Sequence, residues 1–181
     1  MIVIGNGESR RDIDLNCIKS AKIGCNAIHR DCYVEHLVCV DKKTIEEAYA
    51  AGLTDTKIWT RDNLPEPPQG NQRADHPRHW GSGPYALLLA TTMSDYIHII
   101  GFDLWSSNRL VNNIYKDTLN YSSANSHAVD PRYWIYQISR IFLTYPDKYF
   151  IVYNKVDWVL PKSWCLANVE FKTLDNLTNK L

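Results

Sequence analysis

Gly5-Asn6-Gly7-Glu8-Ser9 directly follows an apolar run, Ile2-Val3-Ile4. Glycines at the end of a strand let backbone come close to a phosphate, and the N–H groups of such a turn can point at it. The turn lacks the third glycine of a dinucleotide fingerprint and the G-K-[ST] of a P-loop, so alone it reads equally well as a plain tight turn. His127 is the second chemical candidate. An ordinary imidazole titrates near pH ~6.5, so its neutral ring can take a proton from a hydroxyl under cellular conditions. His127 stands just before Asp130-Pro131, which reads as a helix start, and the partial positive charge there favours the neutral, basic form. On position alone, a loop histidine that only packs is the stronger reading. His29, His36, His76 and His98 have no comparable context and read as structural or surface residues.

The elements that must hold these groups follow from the hydrophobic pattern. Short apolar runs alternate with helical stretches, as in a mostly parallel sheet covered by helices. Strands are expected at 2–4, 21–25, 36–40, 57–60, 96–101 and 148–153, with 169–171 as an edge strand. Helices are expected at 12–19, 42–51, 83–94 and 131–145. Between them, 61–80 carries Pro65, Pro67, Pro68 and Pro77, too many breakers for regular structure, and 104–129 is a second long loop. Loops of that length in a small domain serve as lids or binding loops, or are partly disordered. The fold class is therefore α/β: a Rossmann-like, mostly parallel twisted sheet with helices on both faces. One domain spans 1–181, with long loops at about 61–82 and 104–130. Ligands of open α/β sheets bind beyond the carboxyl ends of the strands. Those ends carry Asn6, Asn26, Asp41 and Asp103, and both long loops leave from the same edge.

Composition narrows the classes. Twenty basic residues balance 20 acidic ones, so nothing steers the chain to nucleic acid or to an anionic membrane. With 181 residues and 45% hydrophobic content, one domain can bury a proper core. The five cysteines are odd in number and form no C-x-x-C pair, which argues against a disulfide framework or zinc ribbon. Four of them are expected to be buried, in a reducing cytosol. No apolar run reaches the roughly 20 residues of a membrane helix, and Met1 already opens the first strand, so a soluble, cytoplasmic protein without an integral membrane segment is expected. Aromatic residues in the two loops, Trp80, Trp105, Tyr115 and Tyr121, are candidates either for the core or for stacking on a base or sugar ring.

The combination of blocks is more specific than any one of them. IVIGNGES, then Ile13-Asp14, then Gly24-Cys25-Asn26 resembles the start of the bacterial sialyltransferases of glycosyltransferase family 42. There, a GNGPS-type loop, an Ile-Asp pair and an Arg-Cys-Asn strand end occur in the same order. His79-Trp80-Gly81-Ser82-Gly83, followed by Ile99-Ile100-Gly101-Phe102-Asp103, is similar to the family's R-x-T-S-G…L-S-G-I-D-F segment. Asn125-Ser126-His127 resembles its histidine-bearing loop, and the likeness covers about residues 1–155. It implies a metal-independent glycosyltransferase without a cofactor. Such an enzyme moves a sugar from a CMP-sialic acid-like donor to the hydroxyl of a glycan acceptor by inverting displacement.

Carried over residue by residue, Asn6 and Ser9, in the loop with Gly5 and Gly7, would contact the nucleotide and its phosphate. Asn26 would hold the donor, and Ser82, beside Gly83, would meet the sugar carboxylate. Asp41 and Asp103 would complete the donor pocket. His127 would be the general base. Trp105 replaces one phosphate-stabilising tyrosine of the family, and Tyr115 or Tyr121 would be the other.

Departures from the family pattern leave alternatives. Asp41 stands where the family has an asparagine near the sialic acid carboxylate, and two adjacent carboxylates repel unless one is protonated. Either Asp41 turns to a ribose hydroxyl, or the donor sugar is not a sialic acid. His79 replaces an arginine, and Trp105 offers an indole N–H in place of a phenol. A non-catalytic nucleotide or nucleotide-sugar binding protein is one alternative. An unrelated Rossmann-like enzyme such as an S-adenosylmethionine-dependent methyltransferase is another. Asp12-Ile13-Asp14 looks like a metal-binding D-x-D but reads better as a solvated helix start, and Asp75, His76 and His79 as coincidence, so no metal is expected. A homo-oligomer stays open.

Overall fold

The central strands are covered on both faces, which turns the usual apolar alternation into continuous apolar runs. The computed structural model describes residues 1–68, 79–106 and 108–177. Its strands are β1 (Ile2–Ile4), β2 (Lys22–Cys25), β3 (His36–Val38), β4 (Lys57–Trp59), β5 (Tyr96–Ile100), β6 (Tyr149–Asn154) and β7 (Val169–Thr173). They form one sheet in the order β4-β3-β2-β1-β5-β6-β7. Every pairing is parallel, so the sheet is wholly rather than mostly parallel.

Three helices, α1 (Lys42–Ala50), α2 (Ser82–Thr91) and α3 (Arg132–Thr144), divide between the faces. Because side chains alternate along a strand, Val3, Ile23, Ile99 and Val152 point to one side, where they pack with Leu87 and Leu88 of α2 and Ile138 and Phe142 of α3. Ile2, Ile4, Leu37 and Ile100 point to the other, against Leu15, Ile28 and Ala48 of α1. Nearly every residue of α2 is buried, since the helix lies against the sheet on one side and meets α3 on another. Truncating one of its core leucines, for example Leu88→Ala, would cost about 2–5 kcal/mol. The Rossmann-like α/β fold in one domain is as the sequence implies.

Several boundaries shift. The helix expected at 12–19 is absent. One 3-10 turn, Leu15–Cys17, stands there instead, and another, Glu8–Arg10, precedes it. Asp14 accepts the Asn16 amide at 3.0 Å, a local side-chain bond that competes with the helical pattern. Asn26–Arg30 forms a third such turn after β2. At α3, Pro131 is the N-cap, and Asp130 Oδ1 accepts the Arg132 amide at 2.9 Å. The weak edge strand is a full partner of β6 over Val169–Thr173. Cys25, Cys32 and Cys39 are buried, but Cys17 and Cys165 are exposed, so three rather than four cysteines sit in the interior, and all five are free. Asp75, His76 and Pro77 of the first long loop lie outside the described residues. No helix among the described residues is long and apolar enough to cross a membrane.

Candidate functional site

From β1 the chain winds outward through β2, β3 and β4, then returns through α2 to add β5 on the other side of β1. Strand order therefore reverses between β1 and β5, the point at which open α/β sheets form a crevice. The backbones at this point nearly touch. Gly5 N–H donates to the Ile100 carbonyl and Gly7 N–H to the Gly101 carbonyl, each at 2.8 Å. A Cβ on Gly5 would lie 2.4 Å from the Gly101 oxygen, while Gly101 has a φ of +69°. Side chains at either position would push the two strand tips apart.

A cleft of about 380 Å³ opens above this junction. Its floor is Gly5-Asn6-Gly7, and Asn26, Ser82 and Asp103 stand around it. Asn6 is nearly buried; its Nδ2 donates to the Cys25 carbonyl at 3.2 Å, which fixes the side chain against β2. Asn26 has a φ of +55°, a left-handed conformation that asparagine tolerates better than most residues. Ser82, the first residue of α2, donates its hydroxyl to Asn26 Oδ1 at 2.8 Å and accepts the Val40 amide at 3.2 Å. Gly81, Ser82 and Gly83 all line the cleft, so the first turn of α2 presents its amides and partial positive charge there. Pro84 lacks an N–H but is tolerated in that first turn.

Asp103, at the tip of β5, is a structural hub. It accepts the Ser9 amide at 2.8 Å, Asn112 Nδ2 at 3.1 Å, Asn154 Nδ2 at 3.5 Å and the Ser9 hydroxyl. Its carbonyl accepts Trp158 Nε1 at 2.8 Å. Gly7 makes room for it, because a Cβ there would fall 2.4 Å from the carboxyl carbon. Asp41 is different. It lies exposed at the cleft edge, and its backbone carbonyl accepts the Thr44 and Ile45 amides at 3.0 Å. Its carboxylate makes no capping bond to α1.

No protein-family model, curated protein or solved structure matches the chain. The functional reading therefore rests on the cleft.

The structure sorts the other candidates. Ser9 is buried and faces Asp103 rather than the cleft. Tyr115 is buried too: its hydroxyl donates to Asp31 Oδ2 at 2.6 Å and accepts Arg10 Nη2 at 2.9 Å. Tyr121 does line the cleft, and its oxygen accepts the Ala27 amide at 3.2 Å, leaving its own O–H for a ligand. Burial pushes both phenols well above their ordinary range, so they act as neutral hydrogen-bonding groups. Trp105 stacks on Trp158 with centroids 5.6 Å apart and is outside the lining. His127 is exposed and also outside it, although its neighbours Ala128 and Val129 are lining residues. Its backbone bridges to Leu110, which sets that segment as a wall of the cleft.

Sequence reasoning missed Arg10. This buried guanidinium donates to the Gly5 carbonyl at 2.6 Å, to Asp31 at 3.1 Å and to Asn6 Oδ1 at 3.5 Å. It supports the glycine turn from behind, and nothing in the local sequence distinguishes it from the exposed Arg11. Arg30, which donates to Glu47 at 2.7 Å, lies over the rings of Tyr115 and Tyr121 at 5.5 and 5.7 Å, clamping the second long loop to the turn after β2. No group of three or more His, Cys, Asp or Glu suited to a metal occurs among the described residues.

Proposed function

We propose that the cleft binds a nucleotide-linked sugar, and that the chain is a metal-independent glycosyltransferase of the sialyltransferase type. The observation that carries this reading is the convergence of Asn6, Asn26 and Ser82 on one hollow at the sheet's switch point. These are the positions that the resemblance assigns to donor binding, and they come from three separate stretches of chain. Amides in the first turn of α2 suit a phosphate, and the Tyr121 hydroxyl suits the charge that develops on it as the bond to the sugar breaks. The acceptor hydroxyl would displace the nucleotide from the anomeric carbon in one step and lose its proton to a base. His127 can serve only if a glycan acceptor approaches along the 104–130 wall, where the ring is exposed.

A second reading, binding without transfer, is favoured by the same placement of His127 and by the engagement of Tyr115 with Arg10 and Asp31. The test is to follow thermal stability and donor hydrolysis with CMP, CMP-sialic acid and UDP-sugars. A rise in unfolding temperature with hydrolysis that disappears in His127→Ala supports transfer. A rise without turnover supports the binding protein. No shift with any nucleotide contradicts both.

A further inference from the structure

The cleft has an uneven charge distribution. Among the described residues its lining includes two carboxylates, Asp41 and Asp103, and no lysine, arginine or histidine. Asp103 is saturated by Ser9, Asn112 and Asn154. Asp41 has no hydrogen bond or ion pair to its carboxylate among the described residues. Of the described cations nearby, Arg61 donates to the Val40 carbonyl and lies outside the lining, and Arg10 pairs with Asp31 at 3.1 Å behind the glycine turn. Ser82, the position that the resemblance gives to a sugar carboxylate, already uses its proton on Asn26 Oδ1. Its hydroxyl therefore has no proton left for a sugar carboxylate.

From these observations we infer that the sugar bound in the cleft is uncharged, with Asp41 accepting its hydroxyl groups and excluding a sugar that carries a carboxylate. This rests on the nucleotide-sugar reading and deepens it. A free carboxylate is an acceptor with two oxygens, well matched to a pair of neighbouring sugar hydroxyls. A ligand carboxylate placed against it would meet a like charge, and none of the described residues lining the cleft is a cation that could offset it. The ligand's phosphate escapes this penalty because the amides of α2 serve it instead. Asp41 is thus the specificity-determining residue: the displacement stays of the sialyltransferase type, with a neutral sugar in place of the sialic acid that the resemblance implies.

Matched donors test the inference: UDP-glucose against UDP-glucuronic acid, and the methyl ester of CMP-sialic acid against CMP-sialic acid itself. Titration calorimetry should give roughly tenfold or tighter binding to the neutral member of whichever pair binds, a difference of about 1.4 kcal/mol. Asp41→Asn should bring the two members within about threefold of each other, with its unfolding temperature unchanged because the side chain makes no hydrogen bond in the fold. Equal or tighter binding of the carboxylated member, or a preference that survives in Asp41→Asn, would overturn the inference while leaving the nucleotide site standing. Failure of every nucleotide-sugar to bind would instead overturn the nucleotide-sugar reading, and the inference with it.

Discussion

The Ser82 hydroxyl donates to Asn26 Oδ1 at 2.8 Å while accepting the Val40 amide at 3.2 Å. One oxygen thus joins the start of α2 to the turn after β2 and to the chain leaving β3. Ser82→Ala leaves Asn26 Oδ1 and the Val40 N–H without this partner, which costs about 1–3 kcal/mol for groups in a buried setting. Denaturant unfolding should detect the loss, and titration should show weaker nucleotide binding. Unchanged values for both would mean that the bond is not holding the cleft.

Asn26 offers a backbone test. At φ +55°, a residue with a Cβ is strained, so Asn26→Ala should be less stable than Asn26→Gly by roughly 1 kcal/mol. Both variants lose the same side-chain bond to Ser82, so the difference between them isolates the conformation. Equal unfolding midpoints would contradict the left-handed assignment.

Gly7 and Asp103 are coupled by space. A Cβ on Gly7 would meet the Asp103 carboxyl at 2.4 Å and displace a group that holds Ser9, Asn112 and Asn154. Gly7→Ala is expected to destabilise by about 1–3 kcal/mol, the range for overpacking a filled site. In Asp103→Ala the clash is gone, so adding Gly7→Ala to that variant should cost much less. A double-mutant cycle that is additive would refute the coupling.

Acid stability has its own marker in β5. Burial lowers the His98 pKa to about 4, and its Nδ1 lies 3.1 Å from the Tyr153 hydroxyl. The folded protein holds this ring neutral, whereas the unfolded chain takes up a proton near pH ~6.5. The stability this contributes is present in full above that pH and is lost as pH falls from about 6.5 towards 4. His36 is shifted in the same direction, also by burial, so it adds a smaller share. His98→Gln should flatten the decline in unfolding temperature between pH 7 and 5. An unaltered slope would place the acid sensitivity elsewhere.

His127 separates binding from chemistry. Its ring is exposed and outside the cleft lining, so His127→Ala should leave nucleotide affinity within about twofold, as surface substitutions usually do. Donor turnover, where it occurs, should fall by orders of magnitude, since general base catalysis contributes about 10²–10⁴-fold. Loss of affinity would show that the ring folds into the cleft.

The sheet was legible because strands buried on both sides appear as unbroken apolar runs such as Ile2-Val3-Ile4, and the polar residues that end them, Asn6 and Asn26, mark the tips. Collinear strand tips in a parallel sheet must share an edge, so the cleft's position followed from order alone. Side-chain direction within the loops did not. Tyr115 and Tyr121 are equivalent in sequence, yet one is held by Arg10 and Asp31 inside the fold and the other lines the cleft. That outcome depends on Arg10, whose burial is a tertiary effect with no local signature. Likewise, Asp14 bonded its own neighbour at Asn16 and so replaced the expected helix with a 3-10 turn.

Co-crystallisation with CMP measures the central claim most directly. The nucleotide is expected in the cleft at the β1–β5 junction, its phosphate within hydrogen-bonding reach of the Ser82 and Gly83 amides. A structure with CMP bound on another surface, or with this cleft unoccupied at saturating concentration, would contradict it.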